Sequence, residues 1–227
     1  MDPLTCYMCS KKATSREHAP PRCIFPARKD TPDGADYRKN LITVPSCDEH
    51  NSEKSHDDEY LLFALAGSYT SSDIGLTQFT TKVKRAFENQ PSKAGNFIRR
   101  SAPVRLRKVE QAEWEDGLQV VAEGDRIDSV LSNCARALYY HETRRKFLGP
   151  AHVLTHFTLY HDETLQANIT KGFEVTELHF ASEAPRGDNP KVFWYKVHES
   201  DATALFLFCF YGQSTAMVRF KTILVSR

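Results

Sequence analysis

Long apolar runs are missing from this chain of 227 residues. No stretch reaches the ~20 consecutive apolar residues that a membrane-spanning helix needs. The N-terminus also lacks the basic-then-apolar pattern of a secretory signal, and the sequence has neither internal repeats nor low-complexity tracts. These absences predict a cytoplasmic protein with no membrane partner. Its 41% of hydrophobic residues is ordinary for a chain that buries a globular core.

Disulfide bonds are not expected in a cytoplasmic chain, and this changes the meaning of its six cysteines. Cys6-Tyr-Met-Cys9 and Cys47-Asp-Glu-His50 are two short ligand pairs of the kind that bind tetrahedral zinc. Because protein side chains would fill all four positions, this spacing predicts a structural Zn²⁺ site. The alternative is a set of unligated loop residues. Cys23 is a rival ligand that ranks below His50.

Apolar periodicity predicts several helices and strands. One helix is expected from Asn51 to about Gly67, a second from Arg126 to Phe147, and partial helix around Phe79 to Phe87. The predicted strands are Val153–Tyr160, Phe173–Phe180, Val192–Val197, Ala204–Tyr211 and Ala216–Leu224, with a hairpin turn at Gly212 and Gln213. Cys134 and Cys209 lie alone in apolar stretches and are predicted to be core residues.

A second group of polar residues lies between and just after the two ligand pairs. It comprises Glu17-His18-Ala-Pro-Pro, Asn40-Leu, and Asn51 directly after His50. The order Cys-x2-Cys, acid-His-x2-Pro, Asn-Leu, Cys-x2-ligand-Asn-x2-Lys resembles the HNH (ββα-metal) endonuclease family over residues 6 to about 60. This resemblance implies two strands and a helix that converge on one divalent cation, while zinc holds their ends together.

The resemblance also assigns a role to each residue of this group. His18 is expected to be the general base that deprotonates a water molecule. Glu17 and Asn51 are expected to bind a catalytic Mg²⁺ or Mn²⁺ through oxygen. Asn40 would hold the loop that orients the imidazole. Asp58 is the reserve ligand, because it lies seven residues after Asn51 and shares its helical face.

The predicted fold class is α+β. A zinc-stapled ββα-metal (HNH-like) module at residues 1–68 would precede a basic connector at 69–120. A mixed helix and antiparallel-sheet domain of unassigned role would occupy 121–227. We leave open whether this last domain recognises substrate, mediates homo-oligomerisation or receives a regulatory signal.

The predicted connector contains nine Lys/Arg residues between positions 82 and 108, against the single acid Glu88. Such a run either forms a solvated surface or contacts nucleic-acid phosphates, and a neighbouring nuclease site favours the second interpretation. The predicted phosphate-contacting residues are Lys82, Lys84, Arg85, Arg99, Arg100, Arg105, Arg107 and Lys108.

Together these features predict a metal-dependent nuclease that hydrolyses phosphodiester bonds. Double-stranded DNA is the expected substrate, because the family that the chain resembles acts mostly on DNA. One rival interpretation is a module that binds nucleic acid without cutting it. Another is an interaction protein in which the zinc unit is a scaffold. Dependence on divalent ions separates the first rival from the enzyme, and salt-sensitive affinity for nucleic acid separates the second.

Overall fold

The computed structural model describes residues 4–52, 55–107, 113–160, 162–200 and 203–221. The strands in these ranges are β1 Ser15–His18, β2 Thr43–Ser46, β3 Ser101–Leu106, β4 Glu115–Val120, β5 Ala151–Thr155, β6 Arg186–Asn189, β7 Phe193–Glu199, β8 Thr203–Phe210 and β9 Ser214–Lys221. The α-helices are α1 Asp48–Ser52, α2 Ser55–Ala66, α3 Asp73–Gln78, α4 Lys84–Asn89, α5 Pro91–Arg99, α6 Gly124–Thr143 and α7 Glu163–His179. A π-helical turn, Phe79–Val83, joins α3 to α4.

Two strands followed by helices form the N-terminal part of the fold. β1 pairs antiparallel with β2, so that Glu17 lies opposite Val44 and His18 opposite Thr43. α1 and α2 follow β2 directly, which makes the helical region begin before Asn51, where we predicted its start. The order of elements in this region is therefore strand, strand, helix.

A five-stranded antiparallel sheet with the order β5-β9-β8-β7-β6 dominates the C-terminal part. Side chains of β8 alternate between its two faces. Phe206, Phe208 and Phe210 join the buried cluster that contains the apolar face of α6. Leu205 and Leu207 belong instead to the cluster of α7. The sheet is therefore covered by α6 on one face and by α7 on the other, and the predicted α+β class with antiparallel sheets is confirmed.

The predicted strand at Phe173–Phe180 is wrong, because these residues lie almost entirely in α7. Ile169, Phe173 and Thr176 are its buried positions, and their spacing of four and three residues follows one face of a helix. The Asp162 side chain accepts a hydrogen bond from the Leu165 N–H and caps the start of this helix. Phenylalanine, valine and threonine had suggested a strand, but tertiary packing overrides this propensity.

Other element boundaries differ from the prediction by a few residues. β5 ends at Thr155, before the predicted end at Tyr160. α6 ends at Thr143, because Arg144 adopts a left-handed conformation with φ of 59°. β7, β8 and β9 overlap the predicted strands, with ends that differ by one or two residues, and positions 222–224 of the last prediction lie outside the described residues. Cys134 and Cys209 are buried, as predicted.

One buried hydrophobic cluster extends from the N-terminal strands into the large sheet. Its members include Cys6 beside β1, Leu61 of α2, Leu131 of α6 and Phe206 of β8. The boundary that we predicted after residue 68 is therefore not a break in the hydrophobic core.

The carbonyl oxygen of Ile24 links the two ends of the chain. It accepts one hydrogen bond from the Tyr211 hydroxyl at 2.8 Å and another from the Gln78 side-chain amide at 2.9 Å. Tyr211 lies in the turn between β8 and β9, and burial raises the pKa of its hydroxyl. The hydroxyl therefore stays protonated and remains a donor near neutral pH.

Within the described ranges, no helix has both the length and the apolar character that crossing a membrane requires.

Candidate functional site

Cys6, Cys9, Cys47 and His50 come together as one cluster, with all their ligand atoms within 4.8 Å of one another. The Nδ1 atom of His50 lies 3.6 Å from the sulfurs of Cys6 and Cys9 and 3.2 Å from that of Cys47. The sulfurs of Cys9 and Cys47 are 3.8 Å apart. A tetrahedral zinc with bonds of about 2.0–2.3 Å places its ligands roughly 3.3–3.8 Å apart. This cluster could therefore hold a metal ion such as zinc.

The local backbone explains why these four ligands meet. Cys6 and Cys9 lie on a tight turn that the Cys6 N–H closes by bonding to the Lys11 carbonyl oxygen. Cys47 directly follows β2, and one helical turn later His50 donates its N–H to the Cys47 carbonyl oxygen. The antiparallel pairing of β1 with β2 brings these two turns side by side. A bound metal would therefore join the start of the hairpin to the start of the helix.

The environment of Cys6 favours the form that binds metal. Burial opposes ionisation of this thiol, but hydrogen bonds from the Met8 N–H and from neighbouring cysteines outweigh burial and lower its pKa. Zinc binds the thiolate rather than the thiol. Cys23, the rival ligand, lies outside the cluster and donates to the Asp58 carbonyl oxygen at 3.3 Å. Burial raises the pKa of the Cys23 thiol to about 12, so it stays neutral.

A second polar group surrounds a small cavity between β1, α2 and α6. Its polar lining residues are Glu17, His18, Asp58 and Asn133. The cavity volume is about 10 Å³, which is close to the space that a single water molecule needs. Glu17 is 8% exposed, so its carboxylate is held inside the fold. This arrangement has room for one small ion or water among two carboxylates, an imidazole and an amide.

The imidazole of His18 is held in its neutral form near pH 7. Partial burial lowers its pKa, and the positive charges of Arg22 and Arg16 lower it further. A general base must be unprotonated before it can accept a proton. The surroundings of His18 therefore suit the role that the sequence predicts.

Asn51 does not line this cavity. Its side-chain amide donates to the Ser15 hydroxyl at 2.8 Å. Ser15 and Glu17 are two residues apart on β1 and share a face of the strand, at a spacing of roughly 6.6 Å. Asp58, the reserve ligand, does line the cavity. The geometry thus favours Asp58 over Asn51 as the helical partner of Glu17.

Asn40 lies in the turn that leads into β2, three residues before Thr43, the partner of His18. Its φ of 51° is left-handed, a conformation that asparagine tolerates better than most residues. Among the described contacts its exposed side chain makes no hydrogen bond. Asn40 therefore shapes the turn through its backbone, and within the described residues no hydrogen bond links its side chain to the imidazole.

Asn133 is a polar residue of the cavity lining that the sequence analysis did not predict. It lies on α6 between Val130 and Ala137, at spacings of three and four residues, and interrupts the apolar face of that helix. A polar residue on an apolar helical face is the signal that could have found it.

The basic residues of the predicted connector are engaged within the chain. The ammonium of Lys82 is drawn inward, and burial lowers its pKa. The partners are the Cys23 carbonyl oxygen for Lys82, Glu88 for Lys84, Asp30 for Arg85, Asn96 for Arg99, Glu123 for Arg100, Asp116 for Arg105 and the Trp114 ring for Arg107. Lys108 lies outside the described residues. These contacts reduce the positive charge available to phosphates, although Lys84, Arg100 and Arg105 remain more than half exposed.

No protein-family model, no curated protein and no solved structure matches this chain.

Proposed function

We propose that this protein is a divalent-metal-dependent nuclease that hydrolyses phosphodiester bonds, with His18 as general base. One observation carries the proposal: Glu17, His18 and Asp58 surround a single cavity on a strand–strand–helix unit. A Cys₃His cluster at the other end of the same unit could hold zinc and keep its strands and helix together.

The donor set at the cavity fits a hard cation. Carboxylate oxygens such as those of Glu17 and Asp58 are the ligands that Mg²⁺ and Mn²⁺ prefer, and Asn133 adds an amide oxygen. The cavity volume of about 10 Å³ admits about one ion or water molecule. When bound, such an ion would polarise a phosphate and stabilise the charge that develops on the leaving oxygen.

The chain's own contribution to hydrolysis centres on His18. Its neutral imidazole takes a proton from a water molecule while the water oxygen forms a bond to phosphorus. The bond between phosphorus and the ester oxygen of the leaving strand breaks, and that oxygen then takes a proton from solvent. The imidazolium returns its proton to solvent. The products are one phosphate monoester and one hydroxyl, with one water consumed.

Substrate would approach His18 from its solvent-exposed side. α6 supplies Val130, Asn133 and Ala137 to the lining, and the remaining space is too small for a phosphate group. Double-stranded DNA is the substrate that we propose, on the basis of the resemblance of residues 6 to about 60 to HNH endonucleases.

Nucleic-acid binding without cleavage is a second candidate function. One observation favours it: α6 contributes Val130, Asn133 and Ala137 to the lining of the cavity, which leaves too little room there for a reacting phosphate. A protein of this kind would keep the zinc unit and show salt-sensitive affinity, but its affinity would not depend on Mg²⁺ or Mn²⁺.

The deciding experiment is cleavage of supercoiled plasmid with Mg²⁺ or Mn²⁺ by the wild type and by His18→Ala. His152→Ala is the matched control, because His152 is an exposed histidine in β5, away from the cavity. Zinc content is measured for all three proteins. Cleavage by the wild type and His152→Ala, with loss in a zinc-loaded His18→Ala, supports the proposal. Equal cleavage by all three excludes His18 as the base, and plasmid binding without any cleavage supports the second candidate.

A further inference from the structure

A second, much larger cavity lies on the opposite side of the large sheet, where α7 covers it. Its volume is about 450 Å³, within the range of small-molecule sites. The lining residues are His156, Glu177, Trp194, Lys196, Leu207, Cys209, Gly212, Gln213 and Thr215. They come from β7, β8, β9, α7 and the loops next to them, so the cavity is separate from the one around His18.

The floor of this cavity is apolar and chemically inert. Leu207 and Cys209 of β8 are 2% and 1% exposed. Burial raises the pKa of the Cys209 thiol to about 12, so it remains neutral near pH 7 and is not a nucleophile. Trp194 of β7 adds a half-buried indole to the wall. Together these residues provide an apolar surface at the base of the cavity.

Hydrogen-bond donors and acceptors, including one basic and one acidic side chain, surround this apolar surface. Lys196 donates to the Phe180 carbonyl oxygen at 2.9 Å, and its ammonium lies 5.9 Å from the centre of the Trp194 ring. That hydrogen bond fixes the ammonium at the wall and uses one of its three donors. Glu177 is an exposed residue of α7 that supplies an acceptor. The exposed side chain of Gln213 offers both a donor and an acceptor at the rim.

We propose that this cavity binds an uncharged planar heterocycle of the nucleobase or nucleoside class. A flat ring stacks on the indole of Trp194, because base–aromatic stacking depends on the π-face and not on a particular base. The Glu177 carboxylate accepts hydrogen bonds from an amino or imino group, while Lys196 donates to a carbonyl oxygen or ring nitrogen. Lys196 and Glu177 contribute one positive and one negative charge to the lining, so this pair favours neither an anion nor a cation. This inference goes beyond the proposed nuclease function and does not depend on it.

The turn between β8 and β9 leaves the cavity open to a ligand. Gly212 has a φ of 80°, and a Cβ atom added there would meet no other atom within 4 Å. The rim residues Gly212, Gln213 and Glu177 are all exposed. A small heterocycle can therefore reach Trp194 without unfolding of the sheet.

Intrinsic fluorescence tests this proposal directly, because the chain has two tryptophans. In a Trp114→Phe background all indole emission comes from Trp194. Adenosine, guanosine, cytidine and uridine, and their 5′-monophosphates, are titrated with excitation beyond the absorption of the bases. We expect at least one nucleoside to change the emission of Trp194 in a saturable way and to raise the thermal unfolding temperature of the protein. The matching monophosphate should bind no more tightly than this nucleoside.

Glu177→Gln in the same background tests the assigned contact. We expect about tenfold weaker binding or more, since hydrogen bonds to charged groups contribute about 1.5–3 kcal/mol. Glu163→Gln is the control: this glutamate lies at the start of the same helix, roughly 21 Å away, and does not line the cavity. Unliganded unfolding temperatures show whether both variants are folded.

Three results would overturn the proposal. The first is that no nucleoside changes the emission or the unfolding temperature. The second is that Glu177→Gln binds as tightly as the background protein. The third is that a monophosphate binds more tightly than its nucleoside, which would make the cavity an anion site. None of these outcomes requires nuclease activity, so the proposed function and this inference fail separately.

Discussion

The guanidinium of Arg126, in the first turn of α6, lies over the ring of Tyr60 in α2, 4.3 Å from the ring centre. The same guanidinium donates a hydrogen bond of 2.6 Å to the Asp57 carboxylate. The Tyr60 hydroxyl in turn accepts the backbone N–H of Glu123 at 2.7 Å. These contacts attach the start of α6 to α2, and they hold Asn133 beside the cavity that contains His18.

We expect Arg126→Ala to lower the free energy of unfolding by about 1–3 kcal/mol, because a partly buried cation–π contact and an ion pair are lost together. Urea unfolding followed by circular dichroism measures this change. Arg105→Ala is the control, since Arg105 is 67% exposed and its carboxylate partner is 3.8 Å away. Its effect should stay within about 0.5 kcal/mol. Equal losses in the two variants would contradict the role assigned to Arg126.

Local sequence patterns predicted the large sheet better than the helix that covers it. β8 carries a strand-length run of apolar and aromatic residues that ends at a glycine turn, and this combination is typical of a buried strand. α7 was missed at Phe173–Phe180 because a short segment of apolar and β-branched residues fits both a strand and a helix. What decided between them was the packing of Phe173 against Leu207 and Met217, which lie more than thirty residues later in the chain.

Some residues of the candidate site could also be predicted from local sequence, and others could not. The ligand pairs at Cys6 and Cys47 were readable because each pair is local. Asn133 was not, because its place at the cavity depends on how α6 docks more than one hundred residues after His18. The partners of the basic residues could not be predicted for a related reason: Arg85 is paired with Asp30, which precedes it by 55 residues.

Removal of one cluster thiol should release the metal and loosen the N-terminal unit. Structural zinc contributes on the order of 10 kcal/mol in small modules. We therefore expect wild-type protein to retain about one zinc per chain through dialysis, and Cys47→Ala to lose it, with faster amide exchange in β1 and β2. Native mass spectrometry measures the zinc. Cys23→Ala is the control and should keep its metal, because Cys23 lies outside the cluster. Metal-free wild-type protein with slow exchange would contradict the prediction.

Replacement of Asn133 tests whether α6 contributes to the cation site. We expect Asn133→Ala to weaken Mn²⁺ binding, and any cleavage that depends on it, about tenfold or more, because the groups that orient metal ligands commonly contribute 10–100-fold. Electron paramagnetic resonance of Mn²⁺ gives the affinity, and zinc content should not change. Asn168→Ala in α7 provides an exposed asparagine away from the cavity as control. Unaltered Mn²⁺ affinity in Asn133→Ala would remove this residue from the site.

The ion pair between Asp30 and Arg85 makes stability depend on acid pH. The side chain of Asp30 is 5% exposed, and the hydrogen bond of 2.8 Å from Arg85 lowers the pKa of its carboxyl. A lowered folded-state pKa gives stability that is present above the unfolded value of about 3.9 and is lost as pH falls through the folded value. We expect Asp30→Asn to be less stable than wild type at pH 7, with a difference that shrinks below about pH 4.

Urea unfolding at a series of pH values measures this convergence. Asp188→Asn is the control, because Asp188 is exposed in β6 and its loss should leave the pH dependence unchanged. A difference between Asp30→Asn and wild type that stays constant down to pH 2 would show that the carboxylate charge is not what stabilises the pair.

The hydrogen bond from Tyr211 to the Ile24 carbonyl oxygen has a consequence for synthesis on the ribosome. Its partners are separated by 187 residues, and domains made early in translation usually begin to fold before the rest of the chain emerges. The contact to Ile24, in the segment after β1, therefore cannot form until the hairpin of β8 and β9 has left the exit tunnel. A nascent chain in which Tyr211 is still inside the tunnel therefore lacks this link between its N-terminal segment and the large sheet.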